Sequence, residues 1–110
     1  MKRSRTYLPA TTHALQALGA QIAAGRREMG WSAAELAGRL GVTAPLVTRI
    51  EKGAPGTAVG TVLEAAILCG VPLFGADPDD LDDVAERTRD RLALLPQRVR
   101  SHRIEIDNDF

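Results

Sequence analysis

Aromatic side chains are scarce. One Trp, one Tyr and two Phe among 110 residues leave the core to Leu, Ile, Val and Ala, a composition that favours packed helices. Cysteine is scarcer still. Cys69 stands alone, which rules out an intrachain disulfide, and with only His13 and His102 beside it no Cys/His zinc site can be assembled. Neither a metal nor a cofactor is expected. Long apolar runs are missing too, since Gly or Glu breaks each one well short of the roughly 20 residues of a membrane span. The first residues do not form the charged, apolar and cleavage regions of a signal peptide. The expectation is a cytoplasmic protein with no membrane partner.

Net charge is also absent, with 14 basic and 14 acidic residues, but the total hides a division. Residues 1–52 hold eight basic side chains against three acidic ones, a net of +5, so the remainder carries −5. Five of its acids fall between Asp77 and Asp83. Such asymmetry points the N-terminal half at an anion and the C-terminal half at something else. At 11.8 kDa the chain has length for one modest core, with any second part a tail.

Residues 1–9, MKRSRTYLP, are basic and aperiodic and read as a flexible arm ending at Pro9. Leu15, Leu18, Ile22 and Met29 then mark an amphipathic first helix from about Thr11 to Met29, closed by Gly30. Ser32 and Glu35 make a capping box for a second helix, Ala33 to Leu40, which buries Leu36, Ala37 and Leu40. Gly41 supplies the positive φ of a tight turn. Thr43 is placed to cap a third helix through its hydroxyl, and Pro45 is tolerated in the first turn, where its missing donor would be unpaired anyway. That helix runs to about Lys52 and turns Val42, Val47 and Ile50 inward.

A loop at 53–57 leads to a fourth helix, about Ala58 to Cys69, expected to bury Val59, Val62, Leu63, Ala66, Ile67 and Cys69. Cys69 reads there as a small hydrophobe. A fifth helix opens at Asp77-Pro78-Asp79-Asp80, with carboxylates at the positive end of its dipole. It carries the stripe Leu81, Val84, Ala85, Thr88, Leu92 and Leu95, pairs Asp83 with Arg87 at i,i+4, and stops before Pro96. The last residues, QRVRSHRIEIDNDF, are either a short strand or a segment that orders only on a partner.

The short connection between the second and third helices, with Ala37 at their close approach, is the spacing of a helix-turn-helix, whose second helix enters the major groove. Its outward residues suit DNA. Arg49 can bond bidentately to guanine or phosphate, and Thr43 and Thr48 suit base edges or phosphate. Ala44 or Pro45 can meet a thymine methyl, and Lys52 a phosphate. Ser32 completes the candidate DNA-binding set.

The chain resembles the Xre or phage-repressor family at Ile22-x-x-x-Arg26, Ser32-x-x-Glu35-Leu36-Ala37, Leu40-Gly41-Val42-Thr43, Val47-x-Arg49-Ile50-Glu51-Lys52-Gly53 and Gly70-Val71-Pro72. The resemblance spans roughly residues 15–73. It implies an all-α, five-helix, lambda-repressor-like helix-turn-helix domain with an extended C-terminal tail, and it makes Arg26 and Glu51 a structural ion pair. It also implies a homodimer on double-stranded operator DNA. The expected organisation is a basic arm over 1–10, a DNA-binding domain over 11–75, a C-terminal helix over 76–96 and a partner-binding or disordered tail over 97–110. Where the family usually has Gln after the cap Ser and a polar residue in the recognition helix, this chain has Ala33 and Pro45. That shifts weight from direct contacts to shape, and Arg3 and Arg5 are candidates for a minor groove.

Further motifs are similar to a subgroup of short Xre proteins paired with HipA-like serine/threonine kinase toxins, the HipB-like antitoxins. They are Gly56-Thr57-Ala58-Val59-Gly60-Thr61-Val62-Leu63-Glu64-Ala65-Ala66, Gly70-Val71-Pro72-Leu73-Phe74, the run from Arg89 to Arg100, and the ending Asp107-Asn108-Asp109-Phe110. This resemblance implies an operon repressor that also holds a kinase in check through its C-terminal part, with Val99, Ile104, Ile106 and Phe110 as candidate partner-binding residues. Arg98, Arg100 and Arg103 have phosphate as their alternative ligand. The alternatives for the whole chain are a stand-alone Xre-family regulator with no kinase partner and an interaction module without DNA binding. An enzyme is not expected, because the histidines lie in the first helix and the tail and the acidic cluster Asp79, Asp80, Asp82 and Asp83 sits at an exposed helix start, so no base and nucleophile or carboxylate pair shares a pocket.

Overall fold

A computed structural model describes residues 6–99, and the candidate residues Ile104, Ile106 and Phe110, like the arm residues Arg3 and Arg5, lie outside them. The described residues form five α-helices: α1 (Pro9–Glu28), α2 (Ala33–Leu40), α3 (Ala44–Glu51), α4 (Val59–Leu68) and α5 (Leu81–Ala93), the last preceded by a 3-10 turn at Pro78–Asp80. The architecture is all-α. The sole pairing outside helices, among the described residues, is a bridge between Leu73 and Ala76. The chain divides into one compact unit up to Asp79 and a second from Asp80 onward.

In the first unit, α1 to α4 close around Ile22, Leu36, Ala37, Val47, Ile50, Val62, Ala65, Ala66, Cys69 and Val71. Ile22, Leu36 and Val47 are the largest side chains fully withdrawn from water, each worth roughly 1.5 to 3 kcal/mol by transfer of its apolar surface. Leu18, Leu40, Val42 and Leu46 pack partly buried against them. The helix ends repeat one device: Trp31, Val42, Ala54 and Val71 donate back to the carbonyls of Arg26, Ala37, Arg49 and Ala66. Each follows a glycine with φ between 73° and 78°, and together they satisfy carbonyls that the helix leaves unpaired.

Close approach in this bundle depends on glycines inside α1. A methyl group added at Gly19 would lie 2.5 Å from the carbonyl oxygens of Ile50 and Glu51. A methyl at Gly25 would collide with the carbonyl of Cys69. The C-terminal ends of α3 and α4 therefore rest directly on the α1 backbone.

Several expectations from the sequence are corrected. Helix α1 begins at Pro9 rather than Thr11, because a proline at the first helical position has its φ already set and loses no bond. Met29 at its end is exposed. In α4, Val59 is 72% exposed and Ile67 is also exposed, while Ala65 is buried. An apolar residue in the first turn need not face inward, and the buried stripe is narrower than the apolar one. The stripe expected on helix α5 is present as a row of half-buried and exposed side chains, none of them fully buried. Its Asp83–Arg87 pair does form, at 3.3 Å, with both side chains largely in water, where such a pair is worth little.

Candidate nucleic-acid interface

Helices α2 and α3 and the three residues between them present the candidate surface. Ser32 and Glu35 fix the start of α2 reciprocally. The Ser32 Oγ accepts from the Glu35 amide at 3.0 Å, and Glu35 Oε1 accepts from the Ser32 amide at 2.7 Å. The hydrogen bond from the Ser32 backbone, followed by that from its side chain, holds the Glu35 carboxyl below its ordinary range, and Arg39 assists. Ser32 thus spends its hydroxyl oxygen on the helix cap while remaining exposed.

At the turn, Gly41 adopts φ 73° and ψ 32°, the left-handed region that costs an L side chain strain and glycine none. The chain then reverses within Gly41-Val42-Thr43, and Val42 packs partly buried against the core. Thr43 occupies the N-cap position of α3 in extended backbone, but its side chain makes no capping bond. That expectation is corrected. The amides of Leu46 and Val47 both donate to the Thr43 carbonyl, at 3.1 and 3.3 Å, and Pro45 has no amide to satisfy.

Along α3 the two faces separate. Val47 and Ile50 are buried, with Leu46 half-buried beside them. Pro45, Thr48, Arg49 and Lys52 are exposed at spacings of three and four, and Thr43 is exposed at the N-cap. Ala44 alone of the candidate α3 set is half-buried, packed against the core. The Thr48 hydroxyl donates to the Ala44 carbonyl at 3.3 Å, a back-bond within the helix that leaves its oxygen able to accept. The exposed row therefore offers two cations, a hydroxyl, and the apolar edge of Pro45. Ser32 stands apart from this row, at the start of α2, and exposed Val99 belongs to the second unit.

One guanidinium orients the pair of helices. Arg26 Nε lies 2.6 Å from Glu51 Oε2, its Nη2 reaches Glu51 Oε1 at 3.0 Å, and its Nη1 donates to the Trp31 carbonyl at 2.8 Å. The bond to Glu51 drives the Arg26 pKa further up, against the opposing effect of burial. Arg26 so ties the end of α1 to the approach to α2 and the end of α3, and it neutralises an acid that would otherwise stand near the basic row. These roles agree with the ion pair that the family resemblance implied.

The sequence reading missed the neighbour of this clamp. Arg39 places its guanidinium 4.2 Å from the centre of the Trp31 ring, a cation–π contact that links the last turn of α2 to the residue before its N-cap. The signal was spacing: Glu35 and Arg39 are i,i+4 on α2. Nothing in the sequence placed Trp31 over that face. No group of three or more His, Cys, Asp or Glu able to hold a metal occurs among the described residues, and no helix among them is long and apolar enough to cross a membrane.

No curated protein and no solved structure matches the chain significantly. A family model described as a helix-turn-helix domain matches residues 17–84, well over half of the chain and all of α2 and α3. The protein therefore belongs to the helix-turn-helix domain family, of the Xre/Cro type, and is by that membership a DNA-binding regulator.

Proposed function

We propose that the protein is a transcriptional repressor that seats α3 in the major groove of operator DNA as a homodimer, and that it serves as the antitoxin of a HipA-like serine/threonine kinase bound through its C-terminal part. The observation that carries the first half is the division of α3: Val47 and Ile50 anchor it while Pro45, Thr48, Arg49 and Lys52 remain on its open side. A row with two cations and a hydroxyl suits phosphates and base edges together. One such helix contacts few bases, which favours two copies on half-sites about one DNA turn apart. The kinase half rests on the similarity of the 56–66, 70–74, 89–100 and 107–110 motifs to HipB-like antitoxins.

The DNA reading is tested by gel-shift titration on the promoter of the protein's own operon. Arg49→Ala should cost roughly 1 to 3 kcal/mol of binding, and Lys52→Ala should lower the slope of log affinity against log salt by about 1. Unchanged binding in both variants refutes the proposed face. The kinase reading is tested by co-purification with the product of the adjacent gene, which a chain cut after Pro96 should lose. Retention by the truncated chain refutes it, and the lack of any kinase-like neighbour leaves a stand-alone regulator.

A further inference from the structure

Phe74 is held in a conformation that its side chain disfavours. Its φ of 54° is the one positive value at a non-glycine residue among the described residues, and a bulky side chain in the left-handed region is strained. The turn imposes it. Leu73 and Ala76 exchange both backbone hydrogen bonds, at 3.1 and 2.9 Å, and the two residues between them, Phe74 and Gly75, both have positive φ. That is a type I′ turn, whose central positions prefer Asn, Asp and Gly.

Core packing does not offset the strain, because Phe74 is 79% exposed. Its mount, in contrast, is fixed. Val71 is buried and Leu73 packs partly buried against the core, and the Val71 amide donates to the Ala66 carbonyl at 2.9 Å. An aromatic ring presented on a fixed mount loses little freedom when a pocket closes over it, and large aromatic side chains are the usual anchors of protein interfaces.

Charge narrows the kind of pocket. No Lys or Arg occurs between Lys52 and Arg87, while Asp77 and Asp79 are exposed three and five residues after Phe74. Two residues before it, exposed Pro72 lines an open groove of about 200 Å³ with Gln21, Ala24 and Glu28 of α1. Arg27, exposed at the end of α1, does not line that groove. Acids flanking the ring repel phosphate, which disfavours a wedge into DNA, and they would face their own kind in a symmetric contact between two copies. Complementarity favours a different protein, with cations around an apolar pocket.

We propose that Phe74 is a docking knob that enters an apolar pocket, rimmed by Lys or Arg, on the kinase partner. This rests on the kinase half of the function proposed above and adds to it a contact outside the C-terminal tail.

The test uses the full chain and the purified product of the adjacent gene. Phe74→Asn suits the turn, since Asn followed by Gly75 is a favoured type I′ pair, so its melting temperature should equal that of wild type or exceed it by a few degrees. Its Kd for the kinase should nevertheless rise about 30-fold or more. Phe74→Leu, which keeps the strain and much of the apolar bulk, should bind more tightly than Phe74→Asn and melt below it. Asp77→Lys should slow association about fivefold at low salt and little at high salt. In Phe74→Asn, the operator gel shift and the mass by light scattering should match wild type. Kinase binding unchanged by Phe74→Asn overturns the knob and leaves the kinase partner standing. A wild-type chain that does not bind the adjacent product overturns knob and partner together. Loss of the operator shift or of the dimer in Phe74→Asn gives the ring to DNA or to a second copy and overturns the proposal. A lowered melting temperature in Phe74→Asn makes the ring part of the fold and overturns it too. Association unslowed by Asp77→Lys overturns the basic rim.

Discussion

Arg26 and Glu51 meet through two hydrogen bonds, of 2.6 and 3.0 Å, with each side chain only 11% exposed. Removing either partner leaves the other charge largely buried and unpaired, which is the costly direction. Glu51→Ala and Arg26→Ala should each destabilise the fold by about 3 kcal/mol in urea denaturation. Arg26→Lys keeps the charge but cannot reproduce the fork to Glu51 together with the bond to the Trp31 carbonyl, so it should fall between wild type and Ala. Lys matching wild-type stability would show that charge alone, not the geometry of the fork, holds α3 to α1.

Two glycines separate steric need from backbone entropy. Gly19 faces the carbonyls of Ile50 and Glu51, whereas Gly38, within α2, has nothing within 4 Å of an added methyl. Gly19→Ala should cost about 2 to 3 kcal/mol, since backbone carbonyls cannot rotate away. Gly38→Ala should stabilise by about 0.5 to 1 kcal/mol, because it removes unfolded-state freedom at no packing cost. Thermal melts of the two variants should move in opposite directions.

The contrast between those glycines marks where the sequence stops being legible. Helix α2 was readable to the residue, because Ser32, Glu35 and Gly41 are chemical signals of a beginning and an end. The inward faces of Leu36, Val47 and Ile50 followed from periodicity. Gly19 and Gly25 left no such mark, since a contact made by the lack of a side chain has no period. Val59 misled for the reverse reason: periodicity tells which residues share a stripe, not whether anything covers it. Thr43 has the right residue type at the cap position, yet its hydroxyl stays out of the cap. In the candidate interface, the exposure of Pro45, Thr48, Arg49 and Lys52 was legible from the anchors opposite them, while the Trp31–Arg39 contact needed the fold.

The Ser32–Glu35 box gives the fold an acid-sensitive element. Its hydrogen bonds from Ser32 hold the folded Glu35 carboxyl below its unfolded value. The stabilisation is therefore fully present above an unfolded value of about 4.3 and is lost as the pH falls through the lower folded value. Glu35→Gln preserves a capping acceptor without ionising. The melting temperature of wild type should exceed that of Glu35→Gln near neutrality, and the gap should narrow on acidification below about pH 4. A gap constant with pH would mean that ionisation of Glu35 contributes nothing. Ser32→Ala, which removes the other half of the box, should cost about 1 kcal/mol at neutral pH.

Cys69 closes α4 against α1 from inside the core, 3% exposed. Burial, the largest influence, pushes its thiol pKa up, and the nearby Glu51 charge adds to this while Arg26 opposes it. Both shielding and a scarce thiolate slow its reaction. At pH 7.5 the folded chain should consume almost no thiol reagent over minutes, and full reactivity should appear with urea at the unfolding midpoint. Cys69→Ser places a hydroxyl among Ala65, Ala66 and Val71 and should cost about 1 to 3 kcal/mol. Cys69→Ala, which brings no polar group, should cost less. Rapid labelling of the native chain would mean that α1 and α4 part often enough to admit the reagent. Gly25→Ala, which pries at the same contact, should then accelerate labelling further; with α1 and α4 closed, Gly25→Ala alone should make the thiol reactive.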